Sequence, residues 1–178
     1  MSDELRNFTA YIEQLADKDK RWSAWRVLNE AGQGALAAVR EGLSHHDWHV
    51  RQLCAMLLDH HWDEASLQRL VLTLDDPKRK VRRAAVHSLG CDRCKGGENP
   101  IDAVPLLEKR LREDKSIKVR RMAALTLAIQ QPSLRIARIL RRALRDETDS
   151  KLQKSAKWGL HRYGQTRTQV AVTQAIVD

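Results

Sequence analysis

Two cysteines and a histidine near the middle of the chain have a spacing that suits a metal ion. Cys91 and Cys94 are separated by two residues in the segment HSLGCDRCKGGENP, and His87 stands four residues before Cys91. Two thiolates at this spacing can bind one Zn²⁺ ion, and a histidine one helical turn away can add an imidazole nitrogen. The alternative is an ordinary loop that carries two reduced thiols.

A group of five arginines forms a second candidate site, which could bind anions. These residues lie within eleven positions of one another and are Arg135, Arg138, Arg141, Arg142 and Arg145. At about 100° per residue, four of them fall on one helix face, where like charges repel by a few tenths of a kcal/mol per pair. Carboxylates or phosphates of a partner would offset that repulsion, because the guanidinium fork suits both. Lys109 and Arg112 could extend this face. The other interpretation is a solvated face that nearby acids such as Glu108 and Glu113 partly neutralise.

The charge distribution favours the first interpretation. Residues 1–75 hold 8 Lys or Arg and 12 Asp or Glu, whereas residues 76–178 hold 24 and 11, so the two parts carry −4 and +13. We therefore expect the C-terminal part to face an acidic protein or a nucleic acid.

Tryptophans and a histidine cluster are further candidates for binding. Of the five tryptophans, we expect most to pack between helices, with Trp48 and Trp62 as the exposed pair that could stack on bases. The HHDWH segment groups His45, His46 and His49 around Asp47. It is either a pH-sensitive or metal-binding turn or a polar join between helices.

These residues must be positioned by a repeated helical unit. The segments LSHHDWHVRQLCAMLL, LDDPKRKVRRAAVHSLG and LREDKSIKVRRMAALTLA align, with Val50, Val81 and Val119 at the same point. A weaker copy places Leu152 there, and a degenerate first copy places Trp22 there. In this register His60 corresponds to Cys91, so His60 or the adjacent His61 could complete the zinc site.

Apolar residues at helical spacing follow each copy, which predicts a unit of helix, turn and helix. Gly32, Gly34, Pro132, Gly164 and the segment 96–100 supply the expected breaks. We predict an all-α fold, a right-handed superhelix of about five helical pairs, in a single domain spanning 1–178. A capping helix covers 1–16, and the pairs cover 17–44, 45–75, 76–112, 113–145 and 146–178.

This pattern resembles HEAT repeats, particularly the short bacterial kind first noted in phycobilisome lyases. The resemblance implies that the second helices line a concave, partner-binding side, and that an Asp six residues before an Arg forms a hydrogen-bonded ladder between repeats. Asp76 with Arg82 and Asp114 with Arg120 keep that spacing. The other copies depart from it, since His45 precedes Arg51 and Gln153 replaces the arginine. We therefore expect the ladder to be interrupted there.

Catalytic relatives of this architecture match the sequence poorly. The iron-dependent hydroxylases need His-Glu dipeptides, of which the chain has none. HEAT-like DNA glycosylases need an acid beside the damaged nucleotide, for which Asp47 and Asp63 are the candidates, but both lie in the acidic part. Bilin lyases share the repeat, but a shared repeat indicates a shared fold and not a shared reaction.

We therefore expect a non-catalytic, monomeric scaffold whose basic concave face binds an acidic protein, or alternatively a nucleic acid. Its only expected cofactor is the structural zinc considered above. No apolar run approaches the roughly 20 residues that a membrane span requires, and the start is acidic rather than signal-like, so a cytoplasmic location is expected.

Overall fold

The computed structural model describes residues 3–95 and 99–177, and every regular element in them is helical. The predicted all-helical class is confirmed. The helices are α1 (Asp3–Gln14), α2 (Arg21–Ala31), α3 (Leu36–Gly42) after a 3₁₀ turn (Gly32–Ala35), α4 (Trp48–Leu57), α5 (Glu64–Thr73), α6 (Arg79–Gly90), α7 (Val104–Glu113), α8 (Ile117–Ile129), α9 (Leu134–Asp146) and α10 (Ser150–Val177). Each predicted pair between residues 17 and 145 contains two α-helices. Of the break predicted at 96–100, residues 96–98 lie outside the described residues.

The chain divides into two compact units, Met1–Leu89 and Gly90–Asp178. In the first unit, α1 packs on α2 and α3, and α3 packs on α4 and α5. In the second unit, α8 packs between α7 and α10, while α9 contacts α7, α8 and α10. Each helix has an apolar stripe that it cannot bury alone, so its neighbours must cover it.

The core of both units repeats the same positions. The residues aligned at the valine position are fully buried, namely Val50, Val81, Val119 and Leu152. Four residues later, one helical turn on, come the equally buried small residues Cys54, Ala85, Ala123 and Ala156. The small side chains permit close helix packing, and the thiol of Cys54 belongs to this core. Burial raises the pKa of the Cys54 thiol, so it stays protonated.

The first copy has a different register from the predicted one. Trp22, which was aligned with the valines, is 61% exposed, whereas Ala24 and Leu28 are buried. Arg21 therefore takes the arginine position in this copy. The predicted alignment places Ser23 there, two residues later in the chain. The error arose because Lys20, which precedes Arg21, is not apolar, so the Val-Arg signature is absent from this copy.

The residue that follows the valine position uses its side chain to close the turn before the first helix of each pair. In every copy it donates a hydrogen bond to the backbone carbonyl six residues earlier, at 2.7–3.2 Å. The donor–acceptor pairs are Arg21–Leu15, Arg51–His45, Arg82–Asp76, Arg120–Asp114 and Gln153–Glu147. Because a backbone carbonyl accepts the bond, the earlier residue need not be aspartate.

Two of these arginines also contact the next copy. Arg51 donates to both carboxylate oxygens of Asp76, at 2.6 and 3.2 Å, and the pair is largely buried. Arg120 donates likewise to Glu147, at 2.8 and 3.3 Å. The expected interruption of the ladder at Arg51 was therefore wrong, since this arginine needs an acid in the following copy and not in its own.

The last predicted pair is a single helix in the structure. α10 runs through Gly164, where a break was predicted, and Gly164 does not adopt a positive φ. One glycine costs a helix only about 1 kcal/mol, which does not suffice to end it. Arg162 anchors α10 by donating from its guanidinium to the carbonyls of Ala128 and Gln130 at the end of α8.

Candidate functional site

Helix α9 presents the arginine face. Ser133 caps its start by accepting a hydrogen bond from the Ile136 amide at 3.2 Å. Five of its apolar residues, Ile136, Ala137, Ile139, Leu140 and Ala143, are buried in the second unit. Because these residues fix the rotation of the helix, all five arginines lie on its exposed side.

Two of the five arginines have acidic neighbours. Arg135 donates to Asp102 at 2.7 Å, in a pair whose side chains are more than half exposed. Arg142 lies 3.9 Å from Glu108, the acid expected to offset part of the charge. Within the part of the chain that the structure describes, Arg138, Arg141 and Arg145 form no ion pair. Three positive charges on this face are thus left for solvent or a partner.

These arginines line a groove of about 520 Å³ between α9 and α7. Glu108 lies at its edge, and Leu134 and Ile139 provide its apolar surface. Leu134 is 49% exposed, so about half of this side chain is available for contact with another molecule. The groove therefore combines positive charge with an apolar contact point.

The predicted extensions of this face differ in position. Arg112 lines a smaller neighbouring groove of about 200 Å³, which it shares with Arg142 and the acids Asp146 and Glu147. Lys109 is exposed on α7 but lines neither groove. The structure therefore brings Arg112 next to the α9 face, in a more neutral setting, and places Lys109 outside it.

The tryptophans do not contribute to this groove. Trp22 on α2 and Trp158 on α10 are exposed, at 61% and 40%. Trp48 and Trp62, the predicted exposed pair, are half-buried, so that prediction was wrong. Trp48 is covered because it stacks on His49 and lies under the Lys80 ammonium, 4.7 Å from the ring centre.

The histidine cluster and the two candidate acids occupy helix starts. Asp47 caps α4 by accepting from the His49 amide at 2.6 Å, and Asp63 caps α5 by accepting from the Ser66 amide at 2.7 Å. Partial burial tends to raise the pKa of both carboxyls, but the hydrogen bonds that they accept outweigh it, so both pKa values are lowered. Both groups act as ionised caps.

Cys91 and Cys94 lie together in the turn that follows α6. Their Sγ atoms are 3.0 Å apart, and the Cys94 amide donates to the Cys91 carbonyl at 3.2 Å, closing the turn. Cys91 is buried and Cys94 is half-buried, and neither forms a disulfide. The geometry directs the two thiols to the same point.

His87 lies in the last turn of α6, and in the first unit its Nε2 is 3.2 Å from Asp59 Oδ2. Asp59 was not among the predicted site residues, although an aspartate beside His60 and His61 was visible in the sequence. His60 lies 3.7 Å from the same carboxylate and is mostly exposed. His61 lies beside Gly32 instead. The structure thus joins His87 and His60 to one carboxylate and places His61 against another element.

Comparisons with known proteins agree with this architecture. A family model described as HEAT repeats matches residues 6–90 and again residues 70–161. Two engineered proteins with crystal structures from the Northeast Structural Genomics Consortium have similar folds, each with a TM-score of 0.56. They are 22% and 25% identical to this chain, and the alignments cover 89% of it and 79% and 80% of theirs. No curated protein matches the chain. None of the described helices has the length and apolar character for crossing a membrane.

Proposed function

This chain belongs to the HEAT-repeat family, whose members generally bind proteins, and we propose that it is a non-catalytic binding module. Its binding site is the α9 face, and its partner is an acidic segment of another protein. The observation that carries this proposal is the set of three exposed arginines around one groove, Arg138, Arg141 and Arg145, which pair with no acid among the described residues.

The apolar part of the groove favours a protein over a nucleic acid. Leu134 and Ile139 lie among the arginines, and a partner side chain such as leucine would gain roughly 1.5–3 kcal/mol by full burial there. Single-stranded nucleic acids bind through aromatic side chains on which bases stack, and no aromatic residue of the described chain lines this groove. An acidic segment with one apolar anchor fits these features best.

The test compares two triple charge reversals within the same unit. The first replaces Arg138, Arg141 and Arg145 with Glu. The control replaces Lys118, Lys154 and Lys157 with Glu, because these exposed lysines on α8 and α10 lie outside the groove. Both variants change the net charge equally, so a difference between them reports position and not total charge.

The probes are a labelled glutamate-rich peptide with a central leucine, the same peptide with serine there, and a DNA duplex. We expect the leucine peptide to bind about 10-fold or more tightly than the serine peptide, from the burial of one side chain. The α9 reversal should weaken binding at least about 10-fold, and the lysine control should not. Equal loss in both variants would refute the proposed site.

Nucleic-acid binding is the alternative function, and the dependence of the affinity on salt concentration distinguishes it from protein binding. The logarithm of the affinity for a DNA duplex should fall linearly with the logarithm of the salt concentration, with a slope of about 0.9 per neutralised phosphate. If the duplex shows this dependence and binds more tightly than the peptide, the partner is DNA and not a protein. A pull-down from lysate with and without nuclease then gives the class of natural partner. Loss of the captured proteins after nuclease treatment would contradict the proposal.

A further inference from the structure

We propose that Cys91 and Cys94 form a thiol–disulfide exchange site, which a low-molecular-weight disulfide oxidises to a disulfide bond and a low-molecular-weight thiol reduces again. Every residue that carries this inference lies in the second compact unit, Gly90–Asp178. The inference is independent of the arginine face, because neither cysteine lines the α9 groove. It assigns covalent chemistry to two residues that the binding function does not use.

The two sulfur atoms already lie almost within bonding distance. They are 3.0 Å apart, and a disulfide bond is about 2.05 Å long, so a side-chain movement of about 1 Å closes it. The Cys94 amide donates to the Cys91 carbonyl at 3.2 Å, which closes a turn of four residues. The first and last Cα atoms of such a turn are less than about 7 Å apart, and disulfides span about 4.4–6.8 Å. The turn therefore has the dimensions of a disulfide loop.

The turn is fixed against the end of α8. The side-chain amide of Gln130 donates to the Gly90 carbonyl at 3.2 Å, and the backbone amide of Gln131 donates to the Asp92 carboxylate. A Cβ atom at Gly90 would lie only 2.6 Å from Thr126 Cγ2, so the chain enters the turn in direct contact with α8. Because these contacts hold the two thiols side by side, attack of one on the other is intramolecular and fast.

The turn lies at the start of an insertion in the repeat. Val81 and Val119 are 38 residues apart, whereas Val50 and Val81 are 31 apart. The additional residues follow α6, and among the described residues the next helix begins at Val104. Packing of the repeats does not require two cysteines here, and loops on a rigid scaffold often carry function.

Exposure distinguishes the roles of the two thiols. Cys91 is 3% exposed, whereas Cys94 is half-buried, so Cys94 is the thiol that a small disulfide reaches. Cys94 is therefore the attacking residue, and Cys91 is the residue that resolves the mixed disulfide. The third cysteine, Cys54, is fully buried in the core of the first unit and takes no part.

The exchange proceeds in two balanced steps. The Cys94 thiolate attacks one sulfur of the small disulfide, whose sulfur–sulfur bond breaks, and the departing thiolate takes up the proton that Cys94 has lost. The Cys91 thiolate then attacks Cys94 Sγ, and the second small thiol leaves with the proton from Cys91. Two cysteine thiols have lost two electrons, and one small disulfide has become two thiols. An excess of the small thiol reverses both steps.

The test equilibrates the full chain with mixtures of oxidised and reduced glutathione. The protein is first treated with a reductant and a chelator, and both are then removed. Free thiols are trapped in denaturant with an excess of a fast alkylating agent and are counted by mass spectrometry. Of the three cysteines, we expect all to be free in the reducing mixture and only Cys54 to be free in the oxidising mixture. Transfer between the two mixtures should reverse the change.

Variants test the order of attack. Cys91→Ser lacks the resolving thiol, so it should accumulate at least about 10-fold more glutathione adduct than the parent chain. Cys94→Ser should form far less adduct than Cys91→Ser, because Cys91 is buried. Cys54→Ala is the matched control, since the equivalent residue Ala85 is alanine, and it should form the disulfide as the parent does. Circular dichroism checks that each variant is folded.

Three results would overturn the proposal. The first is a parent chain that keeps all three thiols in the oxidising mixture, which requires no variant and is unaffected by any folding defect. The second is equal adduct formation by Cys91→Ser and Cys94→Ser. The third is a purified chain in which bound zinc protects both thiols until a chelator removes it. The pair would then be a metal site, the alternative that the spacing of these cysteines predicts.

Discussion

Gly159 offers the sharpest test of how α10 packs. A Cβ atom at this position would lie 2.5 Å from Leu140 Cδ1, 2.8 Å from Ala128 Cβ and 3.0 Å from Ala128 Cα. The last of these is backbone, and Leu140 is fully buried, so neither neighbour can move freely. The absent side chain at Gly159 lets α10 approach α8 and α9 closely.

The expected effect of Gly159→Ala is the sum of two opposed contributions. Alanine favours a helix over glycine by about 1 kcal/mol, and overpacking a close interface costs about 1–3 kcal/mol, with backbone contact at the upper end. We expect a net loss of about 1–2 kcal/mol in the free energy of unfolding. Gly164, five residues later on the same helix, is the matched control, because a Cβ atom there would meet no described atom within 4 Å. Gly164→Ala should therefore gain about 0.5–1 kcal/mol.

The measurement is urea unfolding followed by far-ultraviolet circular dichroism for the two variants and the parent chain. A difference of about 2 kcal/mol between the variants corresponds to roughly 1 M urea in the midpoint, for a slope near 2 kcal/mol per M. If Gly159→Ala were as stable as Gly164→Ala, the close packing of α10 against Ala128 and Leu140 would be refuted.

Two further predictions concern ion pairs. Replacing Arg51 with Gln should still permit a bond to the backbone carbonyl but leave the buried Asp76 without its cation, so we expect a loss of about 3 kcal/mol in urea unfolding. Arg135→Gln, which breaks an exposed pair, should cost less than about 1 kcal/mol, and equal losses would contradict the buried ladder. The Arg121 guanidinium holds the pKa of the Asp149 carboxyl well below its usual range. Its stabilisation is therefore complete above the unfolded pKa of about 3.9 and is lost as pH falls through the lower folded pKa. Thermal unfolding of Asp149→Asn should thus show a deficit at neutral pH that disappears in strong acid; a deficit independent of pH would contradict this linkage.

The sequence predicted the repeating core because burial imposes a period that residues display directly. Val50, Val81 and Val119 must be apolar to fill equivalent positions, and their spacing appears in the chain without coordinates. The arginine-rich helix was predicted in the same way, since four of its five arginines have the spacing that places them on one face. Arg21 escaped detection because its neighbour Lys20 is polar and only the contact with the Leu15 carbonyl reveals its position.

Tertiary structure decided which charged groups meet. The spacing of Arg135 and Arg138 gave no reason to distinguish them, yet Asp102 lies beside the first and no described acid pairs with the second. The partner of Arg51 is Asp76, twenty-five residues later, because helix packing and not chain proximity brings them together. Similarly, Asp59 was recognisable only once folding placed it against His87. Periodicity is a local property that the sequence carries in full, whereas a pair of polar groups depends on distances that only packed helices define.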